Sequence, residues 1–209
     1  MKKKHLEVLI EEPSMEAALI SLLPRILPAE CTFNLHAFAG KKDLLRKLPS
    51  RLRAYRSWLP PDSGIVVIID QDASDCRSLK NTLEAASRHA GFATKSSSQG
   101  QEAFEVLNRI AIEELEAWLF GDTEALVAAF PRLPRTLSRQ SKYRDPDHVA
   151  GGAWESLERL LQRHGYYSAG MPKIEVARAV SEHMDPARNR SHSFKVFRSG
   201  LLSLVDASE

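Results

Sequence analysis

Three aspartates follow the most apolar segment of the sequence. The stretch GIVVIIDQDASDC, residues 64–76, runs through five apolar residues into Asp70, Asp72 and Asp75. Carboxylates this close together repel one another unless a cation lies between them or one of them keeps its proton. The three acids are therefore expected either to point apart into water or to converge on a cation.

Acids also follow two other segments with strand-like patterns. Glu11 ends the alternating segment HLEVLIE, and Glu113 and Glu114 follow the segment FEVLNRIAI. Ligands of an open α/β sheet bind outside the carboxyl ends of its strands, so these acids are expected at one edge. Residues two apart on extended backbone point the same way, which predicts that Asp70 and Asp72 share a site that Glu11 could complete.

Oxygen ligands without a histidine or cysteine among them indicate a hard divalent cation at this edge. Carboxylates suit Mg²⁺ or Mn²⁺ and argue against zinc. Such an ion supplies the positive charge that lets three carboxylates stay ionised together. A structural alternative stays open, in which the acids are turn and cap residues, and it applies most directly to Asp75, which stands where a helix would begin.

Strand-like and helix-like patterns alternate through the first part of the chain and predict an α/β fold with a mostly parallel sheet flanked by helices. The predicted strands are 5–11, 31–38, 65–70 and 104–112, and the predicted helices are 13–27, 41–59, 76–90 and 113–130. Ser14 is expected to cap the first helix, and Pro49 is expected to kink or divide the second. Gly91 is expected to close the third.

The rest of the chain has a different pattern. Residues 131–152 contain turn residues and bases without a period, which indicates a basic linker or mobile loop. Three helical patterns follow, at 153–165, 173–184 and 193–206. The sequence therefore predicts an α/β domain over 1–130 and a helical C-terminal segment over 153–209.

The composition is typical of a soluble protein of the cytoplasm. The chain has 209 residues, two cysteines and a formal net charge of +2. Two cysteines are too few for a disulfide framework, and glutamates interrupt the apolar run near the start, which argues against a signal peptide. No stretch approaches the roughly 18 apolar residues of a membrane span, so no membrane association is expected.

Two motifs resemble the TOPRIM family of topoisomerases, primases and OLD-family nucleases. In VLIEEPSMEAAL a glutamate follows the first strand, and in VVIIDQD an Asp-x-Asp follows a later strand, as in the TOPRIM pattern. The segments RIAIEELEAWLFGD and MDPARNRSHSFKVF are similar to a narrower group of small bacterial TOPRIM-like proteins encoded beside ATPases. That group includes the toxic effector subunit of PARIS phage-defence systems.

The resemblance implies a Mg²⁺- or Mn²⁺-dependent nuclease that cleaves phosphodiester bonds in DNA, tRNA or other RNA. Asp70 and Asp72 would bind the metal, and Glu11 would serve as a ligand or as a general base for water. The glutamate of the TOPRIM pattern is commonly followed by Gly, but here Glu11 is followed by Glu12. Glu12 is therefore an alternative to Glu11 for this role. An ATPase partner subunit is implied, and a homodimer is also open.

Further acids could complete a second ion site. The candidates are Glu16, one turn into the first helix, Glu114 or Glu116 in the segment EELEAW, and Asp75. Acids in the first turn of a helix also favour the helix dipole without any metal, so a structural role stays open for them.

Basic segments flank the acidic centre and could contact nucleic-acid phosphates. Residues 41–56 contain seven Lys or Arg against one acid, and residues 132–198 contain thirteen against seven. A solvated face or a partner-docking surface would explain the same bases. Lys173 is the candidate for stabilising charge on the scissile phosphate. The candidate phosphate contacts are Arg46, Arg53, Arg56, Arg188, Arg190 and Lys195.

Two other functions stay open. The segment IIDQDAS also fits the haloacid-dehalogenase phosphatase pattern, in which Asp70 would be a nucleophile that forms an aspartyl-phosphate. That motif usually lies on the first strand, and GDTEAL lacks the second aspartate of the expected downstream motif. The third interpretation is a non-catalytic subunit that binds a partner and whose acids are structural.

Overall fold

A parallel sheet of four strands forms the centre of the fold in the computed structural model, which describes residues 2–98 and 103–206. The strands are β1 (His5–Ile10), β2 (Thr32–Ala37), β3 (Ser63–Asp70) and β4 (Val106–Ala111). Their order across the sheet is β2-β1-β3-β4, and every pairing is parallel. The predicted α/β fold with a parallel sheet flanked by helices is confirmed.

Eight α-helices connect and cover the strands within the described residues. They are α1 (Pro13–Ile26), α2 (Lys41–Trp58), α3 (Cys76–His89), α4 (Leu115–Gly121), α5 (Thr123–Ala129), α6 (Ala153–Arg163), α7 (Lys173–Ser181) and α8 (His192–Asp206). Across this described part of the chain, no helix combines the length and the apolar character needed to cross a bilayer.

Two apolar clusters cover the two faces of the sheet, and the side chains of β3 alternate between them. Val66 and Ile68 lie in the cluster that contains α1 and the C-terminal helices. Ile65, Val67 and Ile69 lie in the cluster that contains α2 and α3. β3 is buried along its whole length, which is typical of a parallel strand covered on both faces. The end of this strand therefore emerges between two packed layers.

Among the local signals predicted for the first three helices, the closing role of Gly91 is confirmed and the capping role of Ser14 is wrong. Glu12, and not Ser14, precedes the first turn of α1, because Pro13 already occupies the first helical position, which proline favours. Helix α2 runs through Pro49 as one helix, so the proline does not divide it. Gly91 follows α3 with a φ of +82°, as expected of a glycine that closes a helix.

The predicted helix 113–130 is two helices. Helix α4 ends at Gly121 and α5 begins at Thr123, because Asp122 leaves the helical conformation with a φ of −122° and a ψ of 81°. The Asp122 carboxylate caps α5 by accepting a hydrogen bond from the backbone N–H of Ala125 at 3.2 Å. The apolar pattern continues on both sides of this aspartate and therefore did not reveal the break.

Residues 131–152 pack against the core and are not a free linker. Leu133, Leu137, Tyr143 and Val149 are buried in the same apolar cluster as α1 and α8. The backbone of this segment forms three short 3-10 turns, at Leu137–Arg139, Ser141–Tyr143 and Pro146–His148. The absence of a helical or strand period agrees with these short turns, but it does not mean that the segment is exposed to solvent.

Candidate functional site

Five acids gather where the carboxyl ends of the strands meet the first turn of α4. We call these acids the acid cluster, and its members are Glu12, Asp70, Asp72, Glu114 and Glu116. Asp70 ends β3 at the centre of the sheet, next to the end of β1. The edge formed by the carboxyl ends of parallel strands is where open α/β sheets place their ligands.

Asp70 is buried at the end of β3 and has one unpartnered oxygen. The residue is 5% exposed, and its Oδ1 receives no hydrogen bond from any residue that the structure describes. Burial raises the pKa of Asp70 well above its ordinary value, and the charges of Glu116, Glu11 and Glu12 raise it further. A buried carboxylate without a partner is energetically unfavourable, so its retention at this edge requires a reason.

Glu116 repeats this arrangement in the first turn of α4. The residue is 2% exposed, and its Oε2 likewise lacks a hydrogen-bond partner among the described residues. Burial raises the pKa of Glu116 to about 7, although the ammonium of Lys173 lowers it. Two buried carboxylates, each with an unpaired oxygen, therefore lie within electrostatic reach of each other.

Lys173 supplies positive charge opposite these acids. It is the first residue of α7, and its Nζ lies 3.8 Å from Glu12 Oε1 and 4.6 Å from the centre of the Trp154 ring. Burial favours the neutral amine, but the charges of Glu116, Glu12 and Glu114 outweigh burial and raise the pKa of Lys173. One lysine offsets only part of the charge of five acids.

Asp72 does not point the same way as Asp70, so this part of the prediction is wrong. The prediction assumed extended backbone, but β3 ends at Asp70, and Asp72 has a φ of +47°, a left-handed conformation that aspartate tolerates. The Asp72 side chain is 46% exposed, and its Oδ2 lies 2.7 Å from the Nζ of Lys41. Lys41 also donates a hydrogen bond to the carbonyl of Gln71 at 2.9 Å. Lys41 therefore balances the charge of Asp72.

Glu11 ties three elements together through its carboxylate. Its Oε1 accepts a hydrogen bond from the backbone N–H of Lys41, and its Oε2 accepts one from the backbone N–H of Asp70, both at 3.1 Å. The end of β1 is thus joined to the end of β3 and to the start of α2. The next residue, Glu12, is the glutamate that approaches Lys173.

The other predicted metal ligands lie in different surroundings. Glu114 Oε2 accepts a hydrogen bond from the backbone N–H of Trp154 at 3.1 Å, and burial raises the pKa of Glu114. Glu16 is half-buried in the first turn of α1, and in the described part of the chain no side-chain hydrogen bond or ion pair joins it to the acid cluster. Asp75 is exposed and caps α3 by accepting a hydrogen bond from the backbone N–H of Ser78 at 2.8 Å, which confirms its alternative role.

A cavity of about 360 Å³ opens beside the acid cluster. A phosphate group that entered it would be repelled by the surrounding carboxylates unless a cation accompanied it. Burial raises the pKa of Glu113, whose Oε2 is another buried oxygen without a partner among the described residues. The acids that line the cavity are Asp72, Glu113, Glu114 and Glu155.

The donor set suits a hard divalent cation, although the side chains are not gathered around one point. Within residues 2–98 and 103–206, no three Asp, Glu, His or Cys side chains are arranged to hold a metal ion. The available donors are nevertheless all oxygens, of the kind that Mg²⁺ and Mn²⁺ prefer, and those of Asp70 and Glu116 include unpaired atoms. Gathering three donors would require side-chain rotations, for example of Asp72 away from Lys41.

Almost all of these elements lie within a segment that matches a known protein family. A family model described as Domain of unknown function (DUF4276) matches residues 10–202. The chain belongs to the DUF4276 family. No curated protein and no solved structure matches it. In this DUF4276 protein the matched segment runs from the end of β1 into α8 and contains the whole acid cluster, together with Lys41 and Lys173.

The three predicted phosphate contacts on α2 do not surround the acid cluster of the DUF4276 protein. Arg46 is paired with Asp43 at 2.6 Å, and Arg56 is paired with Glu105 at 2.8 Å. Helix α2 starts beside the cluster and rises about 1.5 Å per residue, so Arg53 and Arg56 lie roughly 20 Å further along it. These arginines could contact only a distant part of a bound nucleic acid.

The predicted phosphate contacts in the C-terminal part of the chain differ in how fully they are paired with other residues. Arg188 donates two hydrogen bonds to the buried Asp122, both at 2.9 Å, and its Nη1 lies 3.0 Å from Glu124. Arg190 Nη2 donates to the carbonyl of Tyr143 at 3.4 Å, and Lys195 is exposed on α8. Arg188 therefore has a structural role, which the sequence pattern did not reveal.

Lys41 and Trp154 are site residues that the sequence analysis did not single out. Lys41 belongs to the basic run 41–56, and its position as the first residue of a helix that follows a strand indicates this edge of the sheet. Trp154 is the second residue of α6 and reaches the cluster only through the packing of the C-terminal helices. No local sequence signal identifies it.

Proposed function

We propose that this protein is a nuclease that hydrolyses phosphodiester bonds in DNA or in RNA such as tRNA, with Mg²⁺ or Mn²⁺ as its cofactor. The observation that carries the proposal is the pair of buried carboxylates with unpaired oxygens, Asp70 and Glu116, at the carboxyl edge of the sheet. Burial without a counter-charge raises the pKa of both groups, and carboxyl groups perturbed in this way are concentrated at functional sites. A divalent cation would supply the missing positive charge.

Oxygens of the acid cluster would hold the metal. Asp70 and Glu116 would contribute their unpaired oxygens, and Glu12 and Asp72 are close enough to act on the charge of Asp70 and are further candidate donors. When bound, the cation would polarise a phosphate oxygen and lower the pKa of a water molecule for attack on phosphorus.

The chain's own residues would prepare the substrate. Lys173, held over the Trp154 ring, would stabilise negative charge on the scissile phosphate. Glu11 would act as a positioning residue, because it fixes the backbone of Asp70. Release of Asp72 from Lys41 would free one carboxylate for the cation and one ammonium for a phosphate.

The proposal extends to the partners and the location of the protein. The resemblance of its motifs to TOPRIM effectors supports a toxic subunit of an anti-phage defence system that acts with an ATPase partner in the cytoplasm. A homodimer is compatible with the same proposal. Expression with and without a neighbouring ATPase gene, during phage infection, would test this context separately from the chemistry.

The variant Asp70→Asn is expected to lose Mn²⁺-dependent cleavage of DNA and tRNA. Asparagine keeps the size of the side chain but lacks the charged oxygen that the cation needs, so metal binding and activity should fall together. With Glu116→Gln added, we expect a loss in rate of at least about 100-fold, the scale of removing one electrostatic contact to the reacting group. Calorimetry with Mn²⁺ and a cleavage assay give independent readouts.

Asp75→Asn is the matched control for this experiment. It also removes one carboxylate from the stretch that contains Asp70, and asparagine caps a helix as well as aspartate does. We expect this variant to bind Mn²⁺ and to cleave like the wild type. Full activity of Asp70→Asn, or a wild type that binds no Mn²⁺ at millimolar concentration, would contradict the proposal.

The unpaired Oδ1 of Asp70 also favours a second function, a phosphatase of the haloacid-dehalogenase type. In that reaction the Asp70 oxygen would attack a phosphate monoester, form the aspartyl-phosphate and expel the alcohol. A covalent phosphoryl mimic trapped on Asp70 would support this function over the nuclease.

A third function is favoured by the spread of the acids. Because no three potential ligands of the described residues are arranged around one point, the protein could be a non-catalytic subunit that binds a partner. This function predicts that neither Mg²⁺ nor Mn²⁺ binds and that Asp70→Asn leaves the biological activity unchanged.

A further inference from the structure

A pocket of about 200 Å³ lies along β4, the edge strand of the sheet, between α3 and α8. Lys80 and Arg109 carry positive charge there, and the ring of His192 at the start of α8 stands beside them. The pocket has no lining residue in common with the cavity beside the acid cluster. It therefore needs its own explanation.

Arg109 is a partly buried cation without an acidic hydrogen-bond partner among the described residues. In the described part of the chain, its side chain donates one hydrogen bond, from Nη1 to the carbonyl of Asn108 at 3.1 Å, and its Nε is buried with no acceptor. Burial lowers the pKa of Arg109, and the charge of Glu84 opposes burial only in part. Because a guanidinium has five N–H donors, most of its hydrogen-bonding capacity is left for a ligand or water.

One oxygen of Glu84 is occupied by other partners, whereas its Oε2 is buried with no hydrogen-bond partner among the described residues. Its Oε1 lies 2.8 Å from Lys80 Nζ and accepts hydrogen bonds from Asn108 Nδ2 at 3.1 Å and from Ser96 Oγ at 3.2 Å. Glu84 therefore balances the charge of Lys80 and offsets the charge of Arg109 only in part. A partly buried charge of this kind is stabilised when an anion pairs with it.

Helix α8 is shaped to fit this guanidinium. A Cβ on Gly200 would lie 2.5 Å from Arg109 Nη2 and 3.0 Å from Arg109 Nε, so only a residue without a side chain leaves the guanidinium this space. Val196, four residues earlier on the same face of the helix, is 39% exposed and lines the pocket. The pocket is therefore open to solvent on the side of Val196.

We propose that this pocket binds a phosphate group of a nucleic-acid strand, with Arg109 as the main contact. A phosphate supplies charged oxygens in the geometry that a guanidinium binds best, and Lys80 and His192 stand beside it. The inference rests on the proposed nuclease function and gives it a substrate contact that the paired Arg188 does not provide.

The position of the pocket relative to Asp70 supports this role. Asp70 pairs across the sheet with Ala111, and the neighbours of Ala111 in the chain, Ile110 and Ile112, line the pocket. Adjacent strands lie about 4.8 Å apart, so the pocket is only one strand away from the end of β3. A nucleic-acid strand with one phosphate in the pocket would pass close to the acid cluster.

Binding of a fluorescent single-stranded oligothymidylate, measured in EDTA so that no cleavage occurs, tests the proposal. Arg109→Gln is expected to weaken binding about tenfold, because it removes a charge-assisted contact. The slope of log K against log salt should fall by about 0.7, the value for one phosphate contact on a single strand. Arg88→Gln removes the same charge from an exposed position on α3 and is expected to bind like the wild type.

Val196 provides a second test that leaves Arg109 intact. Val196→Glu places a negative charge at the pocket, and Val196→Gln places a side chain of the same size there without charge. We expect the glutamate variant to bind the oligonucleotide several-fold more weakly than the glutamine variant, because the two differ only in charge. Equal binding by these two variants would overturn the proposal, whether or not Arg109→Gln folds.

Failure of this inference and failure of the proposed function give different results. If the wild type cleaves nucleic acid with Mn²⁺ and the charge at residue 196 has no effect on binding, the pocket proposal is wrong and the nuclease proposal stands. If the wild type cleaves nothing but Val196→Glu binds the oligonucleotide more weakly than Val196→Gln, the pocket stands as a nucleic-acid contact of a non-catalytic protein.

Discussion

Glu7 in β1 is a buried carboxylate that is surrounded by hydrogen-bonding side chains. Tyr55 donates to its Oε2 at 2.8 Å, Asn34 donates to its Oε1 at 3.1 Å, and the rings of His5 and His36 contact one oxygen each. Burial alone would raise the pKa of Glu7, but these hydrogen bonds outweigh burial and lower the pKa to about 2. The contrast with Asp70, which is as deeply buried but lacks such partners, separates a structural acid from a candidate functional one.

The lowered pKa makes Glu7 a source of pH-dependent stability. A carboxylate with a folded-state pKa of about 2 and an ordinary value of 4.5 stabilises the fold above pH 4.5 and loses this effect as the pH falls toward 2. Glu7→Gln is expected to lower the free energy of unfolding by up to about 3 kcal/mol at pH 6, with a smaller loss at pH 3. Urea unfolding of both proteins at the two pH values measures this.

Glu30→Gln is the control for that experiment, because Glu30 is exposed. It is expected to change the free energy of unfolding by less than about 0.5 kcal/mol at either pH. A difference between wild type and Glu7→Gln that stays constant between pH 6 and pH 3 would show that Glu7 contributes through packing and not through its charge.

Sequence spacing located the candidate acids but not the contacts of their oxygens. Asp70 lies at the end of a buried strand, as its apolar run predicted. Asp72 was misplaced because a spacing of two gives the same direction only while the backbone stays extended. The partners of Glu11 are backbone N–H groups of Lys41 and Asp70, and no pattern of residue types encodes them.

A buried aspartate, Asp147, binds the first backbone N–H groups of α8. It belongs to the segment 131–152, which the sequence predicted to be a linker or loop. Asp147 Oδ2 accepts hydrogen bonds from the backbone N–H groups of His192 at 2.6 Å and Ser193 at 3.1 Å. Its Oδ1 accepts hydrogen bonds from the hydroxyls of Ser191 at 2.7 Å and Ser193 at 2.9 Å. One carboxylate thus satisfies the free donors at this helix end and favours the helix dipole.

Asp147→Ala is expected to lower the free energy of unfolding by about 3 kcal/mol, the scale of losing buried hydrogen bonds to a charged group. Thermal and urea unfolding measure the effect. Asp145→Ala is the control two positions earlier, because Asp145 is exposed and caps only its own 3-10 turn. Equal effects of the two variants would contradict the role of Asp147 as the anchor of α8.

The types of the elements could be predicted from periodicity, but several boundaries could not. The apolar run of β3 and the alternation of β1 identified both strands, because each pattern reflects burial of one or two faces. Pro49 failed as a helix breaker, since α2 tolerates it inside the helix. Asp122 ends one helix and caps the next by binding the N–H of Ala125, and its carboxylate is held there by Arg188, which is distant in the sequence.

One large apolar cluster contains residues from both the N-terminal and the C-terminal parts of the chain. Trp118 stacks on Phe197 with ring centres 5.0 Å apart, and its indole N–H donates to Ser193 Oγ at 2.9 Å. Helix α7 contributes Val176 and Val180 to the same cluster as α1. The alternation of elements predicted the fold class, but an apolar helix face does not name its partner, so the sequence did not reveal this packing.

The fragment 1–130 is therefore expected not to fold cooperatively by itself. Without α7 and α8, the apolar surfaces of α1 and Trp118 would face water, at a cost of about 25 cal/mol per Å². We expect strong binding of a hydrophobic dye and no sharp thermal transition for the fragment, whereas the full chain shows the opposite. A cooperative transition of the fragment would establish residues 1–130 as an independent domain.

The position of Trp154 makes its intrinsic fluorescence a probe of the acid cluster. Its ring lies beneath the ammonium of Lys173, and its backbone N–H is bound by Glu114, whereas Trp118 is fully buried and Trp58 is 59% exposed. Indole emission shifts with nearby charge. Because Trp58 and Trp118 lie elsewhere, a change in the total tryptophan emission on adding ions or substrates is expected to come from Trp154 at the acidic edge of the sheet.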